Sequence, residues 1–257
     1  NYDLNRDFIK ADTRNAHAFI DIFQTVNPDL FIDTHVSNGA DYQYTLTHLF
    51  TQHNKLGGEL GKYLHNSLMP QLEDSLQKKS WDITPYVNVF NRTPESGFSQ
   101  FLDSPRYSTG YTTLFNCLGM MIETHMLKPY KQRVEGTYEL IKSFISIADK
   151  DAEIIRELRK NAGSKYKAGS YYPLGWKIDS TQATTYAFKG YEGEMTPSNI
   201  TDANRLKYDR NKPFTEDIMY YNYFKAKDSV VIPSAYVIPK GYWNIVRLLR
   251  ENKIRVS

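Results

Sequence analysis

The stretch Asp29-Leu-Phe-Ile-Asp-Thr-His35, followed by Val36-Ser-Asn-Gly-Ala-Asp-Tyr-Gln-Tyr44, reads as a short buried strand that ends on a carboxylate, a hydroxyl and an imidazole, then opens into a polar loop. In an open α/β sheet, such strand ends are where chemistry is housed. Working upstream, Asp12 or Thr13 is a suitable N-cap for a helix. Phe19, Ile22, Phe23 and Val26 recur at helical spacing and predict its apolar face, and Asn27-Pro28 ends it. Helix, turn and evenly apolar strand in that order imply an α/β layer architecture.

Downstream, the same design recurs. Leu118-Gly-Met-Met-Ile122 predicts a second buried strand, and it too ends on ionisable residues, Glu123-Thr-His125. Between the two strands, Thr45 to Gln52 is ambiguous. Asn54 to Lys79 predicts a long helix, loosened by Gly57, Gly58 and Gly61 and bent near Pro70. Trp81 to Phe90 predicts extended chain, and Asn91 to Gly110 a Pro-, Gly- and Ser-rich loop. From Lys131 to about Asn161 a single helix is expected, with Val134, Tyr138, Ile141, Ile145, Ala148, Ala152 and Ile155 as its stripe against the sheet. After Gly163 the chain becomes rich in Tyr, Val, Thr and Lys, and predicts short strands followed by an amphipathic helix over 242–253. The expected organisation is therefore a domain at 1–163 and a β-rich accessory region at 164–257.

Composition narrows the function classes. The net charge is only +3, and Lys and Arg are scattered, so there is no nucleic-acid footprint. No apolar run approaches the ~20 residues of a membrane span. The single cysteine, Cys117, excludes an intrachain disulfide framework and a Cys-rich metal cage.

The candidate residues follow from the strand ends. His35 is a residue type suited to a catalytic zinc, and it equally suits a hydrogen-bonded core position. Asp33, two residues back, points to the same side of the strand and could orient the imidazole. Glu123 follows four apolar residues, so burial should raise its pKa toward the range of a general base; a salt bridge to Lys128 or Arg133 is the structural alternative. His125 could hydrogen-bond near the site, a supporting role, or bind metal. Asn5 and Arg6 place an amide and a planar guanidinium together, which suits a carboxylate, or Arg6 could pair with Asp7. Tyr107 and Tyr111, on the loop ahead of Glu123, could close over a substrate.

The order of these pieces resembles the zinc carboxypeptidase family of metallopeptidases. The segments YDLNRDF, PDLFIDTHVSNGADYQYTLT and GMMIETHMLKPYKQRV resemble a bacterial branch with a C-terminal extension, over roughly residues 1 to 135. The resemblance implies a mixed-sheet core in which His35 is the third zinc ligand. It implies Glu123 as the general base that activates the zinc-bound water and then protonates the leaving amine. Asn5 and Arg6 would hold the substrate's C-terminal carboxylate, and Tyr107 or Tyr111 would be the covering tyrosine. The substrate would be a peptide or an N-acyl amino acid.

The family's other two zinc ligands, a His and a Glu in a His-x-x-Glu motif, precede the Asn-Arg pair. The resemblance therefore implies an incomplete core, a missing N-terminal segment of the same polypeptide, and no activity for this chain alone. A periplasmic or secreted location is expected by analogy. Two alternatives stay open: an amidase or deacylase acting on N-acyl amino acids or cell-wall peptides, and a non-catalytic binding module that uses its Tyr-rich surface.

Overall fold

The computed structural model describes residues 2–257. Its elements in chain order are α1 (Arg14–Val26), β1 (Leu30–Ser37), β2 (Leu46–Phe50), α2 (His53–Leu56), α3 (Gly58–Tyr63), a π turn (Leu64–Leu68), α4 (Met69–Gln77), β3 (Ile83–Pro85), β4 (Phe98–Ser99), α5 (Ser108–Thr113), β5 (Leu118–His125), α6 (Tyr130–Lys150), α7 (Ala152–Ala162), β6 (Tyr171–Ile178), β7 (Thr184–Pro197), β8 (Asn204–Tyr221), β9 (Phe224–Val231) and α8 (Trp243–Glu251). The expected α/β class is what the chain adopts.

The central sheet runs β1-β5-β2-β3. It is mixed: β1 and β5 are parallel, in the register Asp33↔Met121 and His35↔Glu123, while β2 runs against β5 with Thr47 opposite Glu123. β5 is buried along its whole length. β1 was expected to be buried but is an edge strand of mostly half-buried residues, because only β5 flanks it. Side-chain alternation then divides the two faces. Leu30 and Ile32 of β1 and Leu118, Met120 and Ile122 of β5 join the core formed with α2, α3, α4, α6 and α7. Phe31 turns to the other face, against Phe19 and Phe23 of α1. Asp33, His35 and Glu123 share that second face.

Thr13 caps α1 by accepting a hydrogen bond from the Ala16 amide, and Asn27 ends it in the left-handed region at φ 47°. The packed face matches the sequence spacing in Phe19 and Phe23 only. Ala16, Ile20 and Phe23 are buried, whereas Ile22 and Val26 face solvent. The same correction applies to the long helix. It divides at Asp151 into α6 and α7, and α6 meets the core through Gly136, Leu140, Ser143, Phe144 and Ile147, with Val134, Tyr138 and Ile145 exposed. A Cβ on Gly136 would lie 3.0 Å from Leu46 and Trp81, so the helix seats on a small residue rather than on its bulkiest stripe.

The segment 54–79 is helical but interrupted. Gly57 breaks it at φ 67°, and a π turn precedes Pro70. Leu56, Leu60, Leu64, Leu68, Leu72 and Leu76 are all buried in one core. A four-residue step overshoots one α-helical turn by roughly 40°. The wider π turn takes back part of that drift and keeps the leucines facing the sheet.

Beyond Gly163 the region is β-rich, as expected, but its strands are long: β7 and β8 form one hairpin of 14 and 18 residues. β4, in the expected loop, pairs with the end of β8, and β6 pairs with β9. The hairpin shares a second core with Tyr42, Tyr44, Val87 and Val89. α8 returns to α1, where Glu251 lies 2.8 Å from His17. No helix among the described residues is long and apolar enough to cross a membrane.

Candidate functional site

The site grows from the parallel pair β1 and β5. Their register sets His35 beside Glu123. Because Asp33 is two residues back on the same face, its Oδ2 reaches His35 Nε2 at 2.9 Å. Ser108, the first residue of α5, donates from Oγ to the same carboxylate oxygen at 2.5 Å. Burial pushes the Asp33 carboxyl up, but the hydrogen bonds of His35 and Ser108 outweigh it and hold the group below its ordinary value. The contact with Asp33 in turn raises the His35 imidazole against the effect of its own burial. With Nε2 engaged, neutral His35 carries its proton there and presents the Nδ1 lone pair, to which no described residue is bonded. A carboxylate behind an imidazole is the arrangement that orients a metal-binding histidine.

The Glu123 carboxylate accepts no hydrogen bond from any described residue; the Thr47 hydroxyl bonds only to its backbone carbonyl, at 3.1 Å. Burial pushes its pKa up to about 7, with Asp33 adding to the rise and the charge of His35 opposing it. Neither Lys128 nor Arg133 pairs with it. A carboxyl poised near neutrality can both take and return a proton.

Arg6 reaches the same neighbourhood from the N-terminal segment. The amides of Phe8 and Ile9 donate to the carbonyls of Arg106 and Pro105, which fixes this segment against the 105–107 loop. Asp7 is not the partner of Arg6. It is buried and accepts from the Asp12 and Thr13 amides and from the Thr13 hydroxyl, so it anchors the turn into α1. The Arg6 guanidinium stacks 4.3 Å from the centre of the Tyr107 ring and belongs to no ion pair among the described residues. Asn5 Oδ1 is buried with no hydrogen-bond partner. Arg6 Nη1 donates to the Asn5 backbone carbonyl at 2.9 Å, so the guanidinium is held beside the Asn5 side chain and its remaining N–H groups stay without an acceptor among the described residues.

The structure separates the two candidate tyrosines. Tyr107 stays with Arg6. Tyr111 does not lie on an open loop: it sits in α5, fully buried among Phe8, Phe19 and Phe23, and its hydroxyl donates to Asn252 at 2.7 Å. His125 is also fully buried, with Nε2 2.8 Å from the Ala40 carbonyl and Nδ1 accepting from the Leu127 amide. Both ring nitrogens are used, so His125 has no free lone pair for a metal. Ser108 contacts the candidate site without having been singled out by sequence reasoning, and the charge of Glu123 also reaches Tyr86. Burial raises the Tyr86 hydroxyl, and the charge of Glu123 raises it further. Ser108 meets Asp33 across 75 positions, a contact with no local signature.

Ser108, Asp33 and His35 do not form a nucleophilic triad. Both the serine and the histidine address Asp33, so no base faces the Ser108 hydroxyl proton. The described residues contain no group of three or more His, Cys, Asp or Glu placed to hold a metal. At the candidate site they offer one imidazole, His35, with Nε2 engaged by Asp33 and Nδ1 open. Compared with known proteins, the chain matches no family model, no curated protein and no solved structure.

Proposed function

We propose that this chain carries one half of the active centre of a zinc-dependent carboxypeptidase-like hydrolase, which cleaves an amide bond next to a free C-terminal carboxylate. The observation that carries the reading is the in-register placement of an Asp33-backed His35 beside a buried, unpaired Glu123, with an unpaired Arg6 nearby. His35 Nδ1 would be one zinc ligand, and two further ligands would come from outside these residues. When bound, the ion supplies Lewis-acid chemistry to a scissile carbonyl and lowers the pKa of a water.

The chain's own residues do the rest. Arg6 binds the substrate carboxylate through its planar fork, with Asn5 beside it and the Tyr107 ring holding the guanidinium flat. Glu123 accepts a proton from the attacking water and delivers it to the leaving amine. Its carboxyl serves because burial brings its affinity for protons near neutrality. Asp33 holds the imidazole in the required tautomer and orientation.

The test is hydrolysis of paired peptides, C-terminally free or amidated, by protein expressed from the complete reading frame. The reading expects turnover of the free peptide only, abolished by Glu123→Gln. Equal turnover of both peptides would favour an amidase that ignores the carboxylate. No turnover of either, with Glu123→Gln indistinguishable from the parent, would leave a non-catalytic binding module.

A further inference from the structure

A cavity of about 570 Å³ lies between the 102–105 loop, α5, the end of α7 and the antiparallel β6–β9 pair. α5 touches both regions: Ser108 bonds to Asp33 at the candidate site, while Gly110, Thr113 and Leu114 line this cavity. The volume falls within the ~300–1,000 Å³ of small-molecule sites. Nothing in the hydrolase reading uses it.

Its lining is specific in three ways. Tyr166, Tyr172 and Trp176 line one side, and the two tyrosines meet edge to face at 4.8 Å. All three rings are only half-buried, so they retain surface for a ligand. Asp103 is fully buried. Its Oδ1 lies 2.6 Å from Lys55 Nζ, while its Oδ2 has no hydrogen-bond partner. A buried carboxylate oxygen without a donor is rare and points to a missing partner. Finally, the charges cancel. Lys55 offsets Asp103, and Lys227 adjoins Asp228 at the exposed mouth.

The three features select a ligand class. A charged ligand would unbalance the lining. A wholly apolar one would leave Asp103 Oδ2 without a donor. A neutral polyol with one apolar C–H face satisfies all three: its hydroxyls donate to the carboxylates and accept from the lysines, and its ring face covers aromatic surface. We propose that this cavity binds a neutral pyranose saccharide, with Trp176 and Tyr172 as stacking surfaces and Asp103 as the buried acceptor.

Calorimetric and tryptophan-fluorescence titrations of the full chain test this. The probes are neutral trisaccharides built on glucose, mannose, galactose or N-acetylglucosamine. At up to about 10 mM even a weak site fills. At least one probe should saturate. Trp176→Ala, and Asp103→Asn with its unchanged shape, should each weaken it about ten-fold or more. Because Asp103→Asn also disturbs Lys55, the half-exposed Tyr172→Ala serves as a second variant whose fold is checked by circular dichroism. His35→Ala should bind the saccharide as the parent does. Failure of every trisaccharide to bind, saturation by the cationic aromatic tyramine in their place, or saccharide binding unaffected by Trp176→Ala and Tyr172→Ala would overturn the proposal.

Discussion

Replacing Glu123 by Gln removes a charge and nearly nothing else, so it isolates what the buried carboxylate does to the fold. Burial raises its pKa from 4.5 to about 7, which means the folded chain binds that proton more tightly than the unfolded chain does. The sign follows. Below about pH 4.5 the group is protonated in both states and costs nothing. As pH rises to about 7 the unfolded chain ionises first, and folding stability falls; above that the loss levels off. At ~1.4 kcal/mol per pKa unit, the full loss is on the order of 3 kcal/mol. The groups around it modulate this: Asp33 adds to the loss, and His35 relieves it where the imidazole is charged. Glu123→Gln should therefore be more stable than the parent at pH 8, by up to about 3 kcal/mol, and the two should converge near pH 4.5. Urea unfolding at several pH values measures the difference directly. A variant less stable than the parent at pH 8 would refute the reasoning, because it would mean that the ionised carboxylate is held by favourable contacts in the fold.

Other expectations concern the supports of the site and core. Leu68→Ala, in the middle of the leucine ladder, should cost about 2–5 kcal/mol in urea unfolding. Asp7→Ala removes an acceptor of three hydrogen bonds and should cost about 1–3 kcal/mol by the same measurement, while loosening the segment that carries Arg6. On the carboxypeptidase reading proposed above, Arg6→Ala should raise KM for free-carboxylate peptides at least about ten-fold, an effect expected from losing one charge-assisted contact. Steady-state kinetics that leave KM unchanged would remove Arg6 from the carboxylate site.

Much of the architecture was legible because it rests on local rules. Thr13 and Asn27 bound α1 where capping chemistry places them, and both apolar strands run into their ionisable ends. Helix faces are legible only in part: Phe19, Phe23, Ile141 and Ile155 pack as their spacing predicts, and their neighbours on the same stripes do not. Spacing arguments follow the largest side chains, whereas α1 packs partly on Ala16 and α6 on Gly136 and Ser143, where small size permits close approach. The edge position of β1 is not legible, because apolar residues alone do not distinguish an edge strand from a central one. At the site, Asp33, His35 and Glu123 could be named from strand alternation. The separation of Tyr107 from Tyr111 depends on how α5 turns: Tyr107 precedes its first turn and meets Arg6, whereas Tyr111 lies inside it and faces the α1 core. The Ser108 bond to Asp33 joins distant segments and has no local sequence signal.

The central claim is that His35 is a zinc ligand, and metal analysis of the protein expressed from the complete reading frame tests it most directly. The account predicts about one zinc per chain in the parent, retained in Glu123→Gln and lost in a folded His35→Ala variant. A parent without zinc, or a His35→Ala variant that keeps it, would contradict the account.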